Sequence, residues 1–113
     1  MKIVKERIEL KELKEMVANG FGNFVKAVVD IENEIIAVDA ELHSDEEALL
    51  LENGSKQQNL WGINLYPELE GEDFVEFDSM INLRPSQRNR SREVQDPQIR
   101  QKIKVIVDKL VGK

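Results

Sequence analysis

Apolar residues along the chain change spacing several times, and each change marks an element. Ile3 and Val4 form a short run suited to an edge strand, and Leu10, Leu13, Met16 and Val17 then follow at helical spacing. Asn19-Gly20 supplies the residues that end such a helix. The stretches Phe24 to Glu32 and Ile35 to Leu42 are rich in Val, Ile and Ala, with Asn33-Glu34 between them as a two-residue hairpin turn. That register sets Lys26 opposite Glu41 and Val28 opposite Asp39. Ser44-Asp45-Glu46-Glu47 reads as a capping box for a short helix over Asp45 to Asn53, stopped at Gly54. Leu60 to Tyr66 predicts a strand ended by Pro67, and Phe74 to Leu83 a longer one ended by Arg84-Pro85. Asp96-Pro97 opens a final helix with Ile99, Ile103, Ile106, Val107 and Leu110 on one face.

The order is therefore β-α-β-β-α-β-β-α. It predicts an α+β fold, with a mostly antiparallel or mixed sheet, helices packed on one face and the other face open. Val25, Val29, Ile36, Val38, Ile63, Ile81, Ile103 and Leu110 are expected to share one core. Trp61 lies on the same strand face as Ile63 and Leu65, which points to burial, and Gly62 within that strand points to close approach by another group. With 113 residues and no linker, repeat or low-complexity stretch, residues 1–113 are expected to form a single domain.

Composition changes the picture in two ways. The chain has no cysteine, which excludes disulfides, thiolate zinc sites and a cysteine nucleophile and favours a cytoplasmic location. The opening residues lack a basic segment followed by an apolar one, and no apolar run could span a bilayer, so neither export nor a membrane association is expected. Charge is also segregated. Residues 1–29 hold six basic and four acidic side chains, residues 30–78 one and fifteen, and residues 84–113 nine and three. The acidic middle and basic end can attract each other within the fold, or between copies in a homodimer. The net charge of −6 argues against general nucleic-acid binding.

Candidate chemistry lies on the polar strand faces. Alternation from Ile35 to Leu42 turns Asp39, Glu41 and His43 to one side, and these hard oxygens with an imidazole suit a divalent cation in a metal-dependent hydrolase. The structural alternative is that Lys26 neutralises Glu41. The expected fifth strand likewise turns Glu76, Asp78, Asn82 and Arg84 to one side, with Asn64 able to join them. Beyond Pro85, the loop carries Arg88, Asn89, Arg90, Ser91 and Arg92 with no acid among them. Guanidinium forks beside neutral donors suit phosphate or carboxylate. The favoured reading is a binding protein for a small anionic ligand held by Asn64, Asn82, Arg84, Arg88, Asn89, Arg90 and Ser91. Its structural counterpart is an ion-pair network in which Arg84 is held by Asp78 or Glu41. The metal-dependent hydrolase and a protein-protein interaction module are the two other readings. The chain contains no phosphate-binding glycine loop, nucleophile elbow, paired-histidine zinc motif or EF-hand loop, and Gly20-Phe21-Gly22 reads as a cap and turn. No cofactor is implied.

Three stretches carry a resemblance: Glu41-Leu42-His43-Ser44-Asp45, Gly54-Ser55-Lys56-Gln57 with Leu60 to Pro67, and Ile81-Asn82-Leu83-Arg84-Pro85 with Asn89-Arg90-Ser91. On these the chain resembles a family of short prokaryotic proteins catalogued as a domain of unknown function. The resemblance covers nearly the whole chain and implies a stand-alone domain, without supplying a catalytic residue, cofactor or substrate. That family favours glycine where this chain has Ala40 and Arg88.

Overall fold

The structure is a computed structural model that describes residues 1–20 and 22–112; Phe21, in the expected Gly20-Phe21-Gly22 turn, lies outside the described residues. In chain order the elements are β1 (Lys2–Val4), β2 (Ile8–Glu9), α1 (Leu10–Ala18), β3 (Val25–Asp30), β4 (Ile35–Val38), α2 (His43–Glu52), β5 (Leu60–Leu65), β6 (Val75–Glu76), α3 (Pro97–Leu110) and β7 (Val111–Gly112). Five strands form an antiparallel sheet in the order β1-β4-β3-β5-β6, and β2 pairs with β7 in parallel as a separate two-stranded sheet. This is the expected α+β class with β1 at an edge.

Strand alternation divides the apolar residues between two faces. Val25, Ala27 and Val29 of β3, Ile36 and Val38 of β4, and Trp61, Ile63 and Leu65 of β5 join Leu13 of α1 and Ile103, Ile106, Val107 and Leu110 of α3 in the main core. On the opposite face, Val28, Ala37 and Leu60 pack with Leu50 of α2, and Ile81 packs against them. The helices are thus split, two on one face and one on the other, rather than gathered on one. The physical reason is that Val28, Ala37 and Leu60 make the centre of the second face apolar, and α2 has Leu49 and Leu50 to bury there. Ile81, expected in the main core, belongs to this second layer.

Two local departures decide where polar groups end up. The β3–β4 connection is a four-residue turn, with Asp30 opposite Ile35 and Val28 opposite Ala37. Asp30 forces it: its Oδ1 accepts from the backbone N–H of Glu32 (2.9 Å) and Asn33 (3.0 Å), and its Oδ2 accepts from Asn33 Nδ2 (2.8 Å). Ser55 Oγ donates to the same carboxylate at 2.6 Å, tying the turn to the segment after α2. Burial alone would raise the Asp30 pKa, but these hydrogen bonds outweigh it and hold the carboxyl below its usual value.

The second departure is that two expected strands end early. β4 stops at Val38 because Asp39 takes a left-handed conformation (φ 70°). β6 stops at Glu76, and Met80–Asn82 winds into a 3₁₀ turn in which Ser79 Oγ accepts from Ile81 N–H. Helix α2 starts at His43, with Leu42 rather than Ser44 at its N-cap and no side-chain cap. Its second acid, Glu46, is buried and accepts from Ala40 N–H at 3.1 Å. Helix α3 begins as expected, with the Asp96 carboxylate accepting from Gln98 N–H at 2.8 Å. Ion pairs Arg84–Glu47, Arg92–Asp78 and Lys109–Glu34 join the basic end of the chain to its acidic middle.

Candidate functional site

The end of β4 at Val38 disperses the expected metal ligands. Asp39 and Glu41 lie exposed in the connection to α2, while His43 opens that helix, so the two-residue alternation that would align them is lost. Lys26 does reach across, but its Nζ donates to the Glu41 carbonyl at 2.7 Å rather than pairing with the carboxylate. Among the described residues no group of three or more His, Cys, Asp and Glu side chains is placed to hold a metal ion.

The residues expected around the arginine loop meet protein partners. Arg84 is only 8% exposed. Its Nε donates to Ile81 O (2.9 Å) and its Nη1 to Gln57 O (2.8 Å), while Nη2 lies 3.4 Å from Glu47 Oε2. The guanidinium also stacks over the Trp61 ring at 4.9 Å. Burial draws the Arg84 pKa below its ordinary value, with Glu47 opposing. The partner is thus Glu47, not Asp78 or Glu41. Asn82 is bonded to Gly62. Asn89 Nδ2 donates to the carbonyls of Asn82 and Glu93 at 2.7 and 2.6 Å, and its Oδ1 accepts from Gln95 N–H at 2.8 Å. These contacts leave Arg88 and Arg90 exposed and Ser91 half-buried on a loop closed around Asn89.

Asn64 goes elsewhere. With Lys26 it forms the floor of a cleft of about 400 Å³ on the second sheet face, between the start of α2 and the turn after β6. His43, Asp78 and Arg92 line it, and Phe24, Leu42 and Met80 supply apolar wall. His43 Nε2 lies 2.7 Å from Ile63 O. A carbonyl only accepts, so Nε2 carries hydrogen and the neutral ring presents Nδ1 as an acceptor. Burial lowers the His43 pKa most, followed by the raising effect of the Ile63 carbonyl; Lys26 also lowers it, whereas Asp78 and Asn64 raise it. The net shift is downward, so the imidazole is neutral at pH 7.

The acids of the cleft are already engaged. Glu76 Oε1 accepts from Asn64 Nδ2 at 2.8 Å and from Tyr66 OH at 2.9 Å. Partial burial and the neighbouring Glu76 carboxylate push the Tyr66 phenol above its ordinary value. Asp78 Oδ1 accepts from Arg92 Nε at 2.7 Å. Lys26, in contrast, pairs with no carboxylate among the described residues. Asn64 is only 5% exposed, and its Oδ1 is buried without a hydrogen-bond partner. The sequence singled out His43 and Asn64. Alternation also placed Asp78 on the polar face with Asn64, whereas the meeting of Arg92 with that face depends on the segment after β6 folding back over the sheet, which strand periodicity does not signal.

Glu46 lies outside this cleft. Burial raises its pKa to about 9, against smaller lowering effects of Ala40 N–H and Lys26, so it is a carboxylic acid at pH 7. Its Oε1 has no hydrogen-bond partner. No helix among the described residues is long and apolar enough to cross a membrane.

No curated protein and no solved structure matches the chain. Residues 2–110 match the model of one protein family, and the chain therefore belongs to the family described as "Protein of unknown function (DUF5674)".

Proposed function

We propose that this protein binds a small anionic ligand in the cleft above Lys26 and Asn64. The observation that carries the reading is the unmatched charge of Lys26. Glu76 accepts from Asn64 and Tyr66 and Asp78 is paired with Arg92, so Lys26 is the cationic side chain of the cleft that no carboxylate engages among the described residues. Arg92, although paired with Asp78 through Nε, has further guanidinium N–H groups that make no hydrogen bond among the described residues. A carboxylate or phosphate oxygen can therefore meet Lys26 and Arg92 beside a neutral imidazole. The anion site lies next to the arginine loop and uses Arg92, its last arginine, whereas Arg84, Asn82 and Asn89 support the loop. The lack of cysteine suits work in the cytoplasm.

Titration calorimetry with acetate, butyrate and inorganic phosphate tests the reading. Binding of one of these anions that is lost in Lys26→Met and retained in Arg88→Gln/Arg90→Gln is the expected result. Loss in the loop variant with retention in Lys26→Met would move the site back to the exposed arginines.

A further inference from the structure

The cleft does not end at Lys26. A second hollow of about 570 Å³ adjoins it, lined by Met16, Val25 and Ala40 among others, and the two share Phe24, Lys26 and Leu42 in their walls. Along this continuous groove the chemistry changes. One half presents Met16, Phe24 and Val25, with the carboxylates Asp39 and Glu41 on its rim, the other presents His43, Asn64 and Arg92, and Lys26 stands at the junction. Two large apolar side chains on the groove wall are turned to solvent, Leu42 at 54% exposure and Met80 at 62%. An apolar lip of this kind beside one unmatched cation is complementary to a molecule with an apolar body and one negative charge.

We infer that the ligand is an amphiphilic monocarboxylate, with its carboxylate at Lys26 and an alkyl or aryl body lying along Phe24, Leu42 and Met16. This deepens the anion-binding reading above and rests on it. A single negative charge matches Lys26, while a phosphate dianion would bring a second charge toward Glu76 and Asp78. The apolar half sets the chain-length preference, since each methylene withdrawn from water strengthens binding by about fourfold.

Titration calorimetry with butyrate and octanoate on the intact chain separates the outcomes. The expected result is octanoate binding at least tenfold tighter than butyrate, since the groove buries only part of the about fourfold gain per methylene. Lys26→Met should abolish binding of both. Leu42→Ser changes an exposed position and so leaves the fold intact; it should reduce the octanoate preference, while Val105→Ser, exposed elsewhere, should not. Equal affinity for the two acids would overturn the amphiphile inference and leave the anion reading standing. No binding of either acid or of phosphate, or octanoate binding undiminished by Lys26→Met, would overturn both.

Discussion

The side-chain amide of Asn82 pairs with the backbone of Gly62 from both ends. Oδ1 accepts from Gly62 N–H at 2.8 Å, and Nδ2 donates to Gly62 C=O at 2.9 Å. A side chain thereby does for β5 what a neighbouring strand would do, at the point where β6 has already ended. The absence of a side chain at Gly62 is what permits this: a Cβ there would lie 2.5 Å from both Cβ and Oγ of Ser79.

Gly62→Ala should accordingly destabilise the protein by about 1 to 3 kcal/mol through overpacking. Asn82→Ala should cost a similar amount, about 1 to 3 kcal/mol, by leaving the buried N–H and C=O of Gly62 unpaired. Urea unfolding checks both, and a Gly62→Ala midpoint equal to wild type would contradict the close approach.

Arg84 predicts a loss of stability rather than a loss of binding. Removing it leaves Glu47 and Ile81 O without the guanidinium donor, takes one of two donors from Gln57 O and uncovers Trp61, so Arg84→Ala should cost about 3 kcal/mol. Calorimetric melting measures this without any ligand. A near-normal melting temperature with anion binding abolished would instead make Arg84 part of the site.

Stability should fall as pH rises because of Glu46. Its pKa is about 9 in the fold against 4.5 for the free side chain, so the folded state binds the extra proton throughout that window. The stabilisation is complete below the lower value and is lost as pH approaches the upper one. His43 acts in the opposite sense, with its folded pKa depressed, but only below about its ordinary 6.5. Unfolding measured from pH 7 to 9 therefore isolates Glu46. Glu46→Gln should flatten the decline, and parallel curves for variant and wild type would refute the assignment.

Arg88 carries a backbone cost. It sits at φ 61°, at the end of the turn Pro85–Gln87, where an L side chain is crowded and glycine is not. Arg88→Gly should raise stability by about 1 kcal/mol. Its exposed guanidinium makes no hydrogen bond among the described residues, so little opposes the gain. A destabilised variant in urea unfolding would show that the side chain matters more than the strain.

Legibility from the sequence followed the reach of the forces involved. Helix α3 could be read because its apolar stripe and its Asp96-Pro97 start are both local signals, and Asp96 caps as its type predicts. The β3–β4 register could not, since the Asp30 carboxylate claims two backbone donors and lengthens the turn from inside what looked like continuous strand. The stretch Phe74 to Leu83 alternates as a strand does, yet Ser79 and Asn82 draw it into a turn through side-chain contacts that have no periodicity. The site followed the same pattern. His43 and Asn64 stood out by type, whereas their meeting with Lys26 and Arg92 depended on α2 packing against the second face, a choice made by Leu49, Leu50 and their apolar neighbours.

The parallel pairing of Ile8 with Val111 and of Glu9 with Gly112 governs how the chain is assembled in time. β3 with β4 and β5 with β6 are joined by short connections and can zip locally, but the β2–β7 seam closes a loop of roughly a hundred residues and must wait for most of the chain. Because β2 runs directly into α1 and α3 directly into β7, the seam fastens both helices of the main core at once. Late closure in refolding and shared amide-exchange protection for α1 and α3 follow from that single short ladder.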